Sequence, residues 1–522
     1  MGDAAHAEKR PLDEEAQVET SNEESLGDSL QQNEKDSPVS KGEGDKSPEN
    51  GTKSEFDVWW DEPADQDPAN PMNWSNARKW TIIAMVSFIT FLTPLASSMF
   101  APGVPQVMSD FDSSFDVLAS FVVSVFVLGF AFGPLIIAPL SEYCGRVVVY
   151  NTCNVLFLVF TILNAVAKNM AMLIVFRFLA GFAGVAAITC GSGTIADLMP
   201  AEKRGLAMSL WSLGPLFGPI IGPVAGGFLV EAKDWRWVFW VIAMASGAAT
   251  IVCFFALRET YAPILLERKA ARLRKETGNP AYQSRLHSNI PPKQLFIRSI
   301  LRPTKMLVLS PIVFLMCLYI AILYGLLYIL FTTYTFVFEG QYGFSAGSAG
   351  LAFLGSGVGM LLGLTYVANF SDKAVRKKLQ QQQKPKPEDR LPLYLVLPGS
   401  LSIPAGLFIY GWGADKHVHW IVPQIGNAVT GFGMITILMC IQTYLVDAFT
   451  VHAASATAAN TVLRSLLGSL LPLCGLDMYN ALGLGWGNSL LGFIAFGIAP
   501  IPVLFGVLGE RLRTHPRFQV QF

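Results

Sequence analysis

Charge is what this sequence lacks. Past residue 77 only 51 of 445 residues are Asp, Glu, Lys or Arg, against about a quarter in an ordinary soluble protein. A soluble domain of that size would have to expose far more charge, so one large soluble enzyme is excluded. Clustered reactive side chains are also missing. The seven cysteines, Cys144, Cys153, Cys190, Cys253, Cys317, Cys440 and Cys474, stand singly, with no CxxC and no Cys/His spacing. They read as small apolar packing residues rather than a metal site. There is no HExxH, no apolar run carries paired acids, and besides two histidines near the termini there are only His287, His417, His419 and His452. An intramembrane enzyme lacks its catalytic groups, and no metal, cofactor or nucleic-acid partner is expected. No apolar run opens the chain, so no cleaved signal peptide is expected either.

What charge there is sits unevenly. Residues 1–77 hold 20 acids and 6 bases, and the remainder 19 acids and 32 bases. Residues 1–56 have no apolar periodicity and too little apolar surface to offset chain entropy, which predicts a disordered acidic tail. Then come twelve apolar runs of bilayer length, each about 20 residues: roughly 80–100, 117–138, 147–167, 171–192, 205–230, 237–257, 306–335, 347–368, 391–413, 420–442, 453–475 and 486–508. The long connection 258–305, with 11 Lys/Arg, divides them six and six. The predicted organisation is a tail (1–56), a six-helix half (57–257), a central loop (258–305), a second six-helix half (306–508) and a C-terminal tail (509–522). The chain reads as an all-α membrane protein.

Basic residues set the expected orientation. With the N-terminus cytoplasmic, the inner flanks and loops after residue 77 carry 27 Lys/Arg, Arg464 among them, and the outer loops carry four, Lys168, Lys233, Arg236 and Lys416. The positive-inside rule therefore places both termini in the cytoplasm. The sequons at Asn50, Asn73 and Asn369 then fall on the cytoplasmic side and are expected to be unmodified.

Several segments carry functional signals. In the fifth run Gly214, Gly218, Gly222 and Gly226 recur every four residues, with Pro215, Pro219 and Pro223 one step behind. That spacing winds one small-residue stripe along a helix, open to close approach by another backbone. Gly355, Gly359 and Gly363 in the eighth run offer a complementary stripe. The two form either a tightly packed structural pair or a bent interface that helps set which side is open. Arg177 lies about six residues into the fourth run, where an unpaired arginine at mid-bilayer costs roughly 2.5–3.5 kcal/mol. It either faces a polar cavity or snorkels to the outer headgroups. Glu142, Arg146 and Asp197 gather at inner helix ends, where they pair or stand as a solvated cluster. Ser141-Glu142…Arg146 after the second run matches Ser371-Asp372…Arg376 after the eighth, a weak internal repeat of the kind transporters are built from. Tyr324, Tyr328 and Phe331 share one helical face of the seventh run, as packing surface or as the wall of a substrate cavity.

These residues resemble the major facilitator superfamily, and the chain is similar to its fungal twelve-span drug:proton antiporters, the branch with polyamine and multidrug exporters. Pro139 to Arg146 resembles the inner-loop signature, with Glu142 where Asp is commoner. Arg177 to Gly184 resembles the fourth-span arginine motif, and Gly214 to Gly227 the fifth-span antiporter motif. Asn73-Trp74-Ser75, Trp235-Arg236-Trp237, Pro387 to Pro392 and Tyr444 to Ala448 match further. The resemblance covers about residues 57–515. It implies two pseudo-symmetric six-helix bundles rocking about a central site, with Arg177 in proton coupling. Glu142, Gly145, Arg146 and Asp197, with Asp372 and Arg376 in the second copy, would form an inner gate. The activity implied is proton-coupled export of amphiphilic small molecules, drugs, toxins or secondary metabolites, from the plasma membrane by a functional monomer in contact with lipid. A polyamine exporter, or an uncoupled facilitator or importer of the same fold, is the alternative. The first run has no Asp or Glu, so the proton-carrying acid is not identified.

Overall fold

The structure, a computed structural model, describes residues 56–63, 66–113, 115–200, 203–286, 292–380, 386–449 and 453–514. The acidic tail lies, but for Phe56, outside them. Among the described residues, eleven helical stretches are long and apolar enough to cross a bilayer. The first ten are spans 1 to 10: Asn76–Asp110, Asp116–Cys144, Arg146–Ala165, Met170–Leu198, Leu206–Ala232, Trp235–Ala256, Pro311–Tyr342, Ala346–Ser371, Leu393–Asp415 and Ile421–Ala448. The last, Ser455–Arg513, has 59 residues, about three times what a ~30 Å hydrocarbon core needs at about 1.5 Å per residue. It breaks at Gly483 (φ 75°, ψ 168°), a conformation open to glycine and costly for other residues. Spans 11 and 12 meet there, which completes the expected twelve.

Five spans start on a side chain that accepts one of the helix's orphan N–H groups. Asn169 Oδ1 accepts from Met172 N, Asp234 Oδ1 from Arg236 N, and Ser75, Ser310 and Ser345 cap spans 1, 7 and 8 likewise. Large apolar side chains such as Phe88, Phe132, Phe254, Phe255 and Val507 stay exposed on the outer surface. They present the apolar face that lipid requires of a spanning bundle.

Packing repeats between the halves with an offset of six. Span 1 lies along span 5, span 2 along span 4, and span 3 along spans 4 and 6. Correspondingly, span 7 lies along span 11, span 8 along span 10, and span 9 along spans 10 and 12. The halves meet where span 2 packs on span 11 and span 5 on span 8. The end that carries the 258–305 connection is called the basic end here, and its opposite the far end.

The central loop has structure that the sequence reading did not assign. It holds a helix, Ala262–Thr277, and a short strand β2 (Gln283–Ser284) paired in parallel with β1 (Asp57–Val58). Lys269 Nζ donates to Trp59 O (2.9 Å) and Asp61 Oδ1 (2.7 Å), and the Arg285 guanidinium lies over the Trp59 ring. The segment before span 1 is thereby fastened to the loop after span 6.

Candidate functional site

At the basic end, span 3 begins immediately after Gly145 and has no side-chain cap of its own. Glu259, from the segment following span 6, supplies one. Its carboxylate accepts from Arg146 N (3.0 Å) and Val147 N (3.3 Å), and also from Thr260 N and Tyr261 N (3.1 Å each). An anion at a helix N-terminus is favoured by orphan donors and dipole together. Gly145 takes φ +99°, and a Cβ there would run into the Glu259 carboxylate. The Arg146 side chain pairs with Asp197 (3.5 Å), donates to Ser141 Oγ (2.8 Å) and lies over the Tyr261 ring (4.9 Å). Burial, and then the Glu142 charge, push the Tyr261 hydroxyl above the ordinary phenol range, so the ring beneath Arg146 stays neutral. Of the four residues expected here, Arg146 and Asp197 pair, Gly145 makes the approach possible, and Glu142 lies exposed at the rim.

The second half builds the same lock with different residues. Arg390, just before span 9, pairs with Asp447 near the end of span 10 at 2.7 Å, as Arg146 before span 3 pairs with Asp197 at the end of span 4. Glu388 accepts from Arg513 at the end of span 12 (3.3 Å), which mirrors the tie from beyond span 6. The side chains of Asp372 and Arg376 lie outside the described residues. Among the described residues, the ion pair of the second half that parallels Arg146–Asp197 is Arg390–Asp447.

Arg177 of span 4 is 1% exposed, which overturns snorkelling. It sits in a cage of the Phe100, Phe126 and Phe239 rings, with centroids at 4.8, 5.4 and 5.8 Å. One terminal nitrogen donates to Ser97 O (2.9 Å) and Val123 O (3.5 Å), and Nε is buried without a partner. The first helical segment of span 1 ends at Ser98, where the carbonyls beyond Leu95 O run short of intrahelical donors. Arg177 meets that C-terminal end, where a cation suits the helix dipole. No sequence motif announced the cage, because its rings come from spans 1, 2 and 6.

Span 7 reaches this group from the other half. The Tyr328 hydroxyl lies beside Ser97 and Tyr324 and near Arg177. The Tyr324 and Tyr328 rings are 5.0 Å apart, and the Arg464 guanidinium of span 11 lies 5.3 Å from the Tyr324 centroid. A polar column, Arg464, Tyr324, Tyr328, Ser97, Arg177, thus links the halves. Phe331 packs on Tyr328 (5.7 Å) and, inside the second half, on Phe353 (5.4 Å) and Tyr334 (6.1 Å). Arg464 was counted with the inner flanks. It lies instead nine residues into span 11, level with the middle of span 7. The readable signal was that no other charged residue falls between Asp447 and Asp477.

The fifth-span glycines face a different partner from the one expected. A Cβ at Gly214, Gly218, Gly222 or Gly226 would meet Phe91, Leu95, Ser98 or Met99 of span 1. Gly355, Gly359 and Gly363 face Gln424, Ala428 and Phe432 of span 10. Both stripes serve packing within a half, because only small residues let two backbones approach. Spans 5 and 8 meet through other residues. Gly227 lies against Ala346, Gly350 against Pro223, and Gly357 against Ile220. Pro215 and Pro219 stay half-buried, and all three prolines are accommodated in a continuous helix, Arg204–Ala232.

At the far end two polar links join the halves. Glu231 of span 5 accepts from Ser345 Oγ and Gly347 N at the start of span 8, both at 3.0 Å. Asn480 of span 11 donates to Asp116 of span 2 at 2.8 Å.

Two inward-paired halves of six spans, joined by two span pairs around a charged mid-membrane column, define a membrane transporter. Residues 86–472 match the family described as the Major Facilitator Superfamily. The chain belongs to that superfamily, whose members are multi-pass carriers of small molecules and not enzymes. It is 53% identical over 502 residues to the MFS-type transporter penM of Penicillium rubens, covering 96% of this chain and 97% of that one. It is 53% identical to the efflux pump radE of Floropilus chiversii (89% of this chain, 86% of that one). To the MFS transporter cpaT of Aspergillus oryzae it is 49% identical (89% and 93%). Among solved structures, a D-xylose-proton symporter superposes with a TM-score of 0.60 at 17% identity, covering 82% of this chain and 97% of that one. An inward-facing bacterial homologue of the lysosomal transporter Spinster gives 0.59 at 13% identity (84% and 98%). At those identities the likeness is one of fold.

Proposed function

We propose that this chain is a proton-coupled exporter that moves amphiphilic small molecules by alternating access, as a monomer in the plasma membrane with its basic end in the cytoplasm. The observation that carries the reading is the setting of Arg177. A guanidinium held by two carbonyls and three rings, with no carboxylate partner among the described residues, is an unneutralised charge at a joint between the halves. Through Ser97 and Tyr328 it responds to whether span 7 is in place, so moving one half past the other changes its surroundings. Arginine does not itself release a proton near neutral pH. Its charge lowers the pKa of an acid brought near it, or favours proton release along a water chain. The 53% identity to a protein described as an efflux pump supports the outward direction.

The test is efflux of a fluorescent amphiphile from expressing cells, with and without a protonophore. Wild-type efflux should collapse with the gradient, and Arg177→Ala should reach the membrane but lose coupled efflux. Arg177→Lys should keep part of the activity, since it retains charge without the planar fork. Normal export by Arg177→Ala, or gradient-independent efflux by wild type, would favour facilitated diffusion. For orientation, tags at both termini should resist external protease, and Asn369 should carry no glycan.

A further inference from the structure

We propose that Arg464 is the recognition group for cargo, and that the cargo is an organic anion: an amphiphile whose acidic group is deprotonated at neutral pH and whose apolar body lies along Tyr324. The inference rests on the transport reading above and names its substrate class. Arg464 lies nine residues into a span, and among the described residues it has neither a salt bridge nor a hydrogen bond. Its Nε is buried without a partner, while the residue as a whole is only half-buried, so its remaining donors are open to an occupant. Arg177, by contrast, is enclosed, and one of its terminal nitrogens already donates to two carbonyls. A membrane-embedded guanidinium with open donors calls for an anion, and the described residues provide none there.

The neighbours of Arg464 complete a site rather than a stray charge. Asn460 lies one helical turn before it, on the same face. It is 1% exposed, and its Oδ1 is buried and unpartnered while its Nδ2 reaches Gln442 of span 10 at 3.5 Å. One turn on the other side is Gly468, where a Cβ would press on the Tyr324 ring. The face Asn460, Arg464, Gly468 therefore offers a cationic fork, an open acceptor and a smooth aromatic floor. An acid group with an adjacent O–H or N–H fits all three: oxygen on the guanidinium, donor on Asn460 Oδ1, ring on Tyr324. A polycation would instead bring positive charge to two unneutralised arginines, so the arrangement weighs against polyamine cargo.

The experiment measures equilibrium binding to the full chain in nanodiscs of uncharged lipid at pH 7.5, read as energy transfer from tryptophan to a pyrene probe. Pyrenebutyrate, pyrenebutyramide and pyrenebutylamine share one apolar body and differ in charge. Wild type should bind the carboxylate at least tenfold more tightly than the amide, and the amine most weakly. Arg464→Gln should abolish the preference for the carboxylate without abolishing amide binding, which shows that the variant is folded. Arg464→Lys should keep a reduced preference, and Arg272→Gln, on the exposed loop helix, should behave as wild type. Equal affinities in wild type, undetectable carboxylate binding, or a preference that survives in Arg464→Gln overturns the proposal. Binding needs no gradient, so a failed efflux assay with the preference intact faults the transport reading alone.

Discussion

The glutamate that caps span 3 shows what a motif leaves unsaid. Gly145 and Arg146 were legible because the inner-loop signature fixes a glycine before an arginine, and the pairing of Arg146 with Asp197 follows from two opposite charges at neighbouring helix ends. Glu259 lies 113 residues further along and belongs to no spacing that a single sequence displays. It is 7% exposed and accepts four backbone N–H groups, so removing the carboxylate strands donors that nothing else reaches. A buried group left unsatisfied costs about 1–3 kcal/mol. We expect Glu259→Ala to lower the thermal stability of the detergent-purified protein clearly, and Gly145→Ala to do the same through its positive φ and the collision with that carboxylate. Asp197→Asn, which keeps an acceptor for Thr260 Oγ1, should be milder. A melting curve for Glu259→Ala that overlays wild type would show that the cap adds nothing.

A helix surface can be read from sequence, but not the neighbour it faces. The four-residue glycine period correctly marked spans 5 and 8 as closely packed, since removing the side chain is what allows backbone contact. It did not say which helix would come close, because each span has several neighbours and the stripe is equally compatible with all of them. Span 5 gave its glycine face to span 1 and met span 8 with Ile220, Pro223 and Gly227. These neighbours set the phenotype expected for Gly222→Leu. The larger side chain meets Ser98 and Met99 within the same half, so the variant should fail to assemble, with low surface abundance and an aggregated profile on size exclusion. Gly227→Leu meets Ala346 across the interface. It should assemble, run as a single peak and transport poorly. If Gly222→Leu is monodisperse but inactive, the stripe works in gating and not in packing.

Across the whole molecule, the six-and-six division and the all-helical class were legible because bilayer length imposes a pattern on composition. The column between the halves was not, because its members are separated by up to several hundred residues and only folding aligns them. The far-end links are of the same kind: Asp116 with Asn480, and Glu231 with Ser345 and Gly347, are ordinary polar residues at helix ends until the spans are assembled. Both links bridge the two span pairs through which the halves meet, so they hold that end closed. The proposed alternating-access cycle would require them to break and re-form, and a ligand can shift such an equilibrium only by what it gains in one state over the other. Glu231 is exposed, so solvent screens its two hydrogen bonds, and their loss is worth roughly 1 kcal/mol, a shift of about fivefold in the closed-to-open ratio. Ser124 reports the opening, since its hydroxyl donates to Ser469 O across spans 2 and 11 at 2.8 Å and is buried in the closed arrangement. In a Ser124→Cys background, Glu231→Ala should speed labelling by a membrane-impermeant maleimide about fivefold, and Asp116→Ala with it further. The parent chain, whose Cys474 is exposed, sets the background rate. Labelling that stays slow in the double variant would mean that the far end is held shut by the Gly227, Gly350 and Gly357 packing alone, and the polar links would then have no part in the switch.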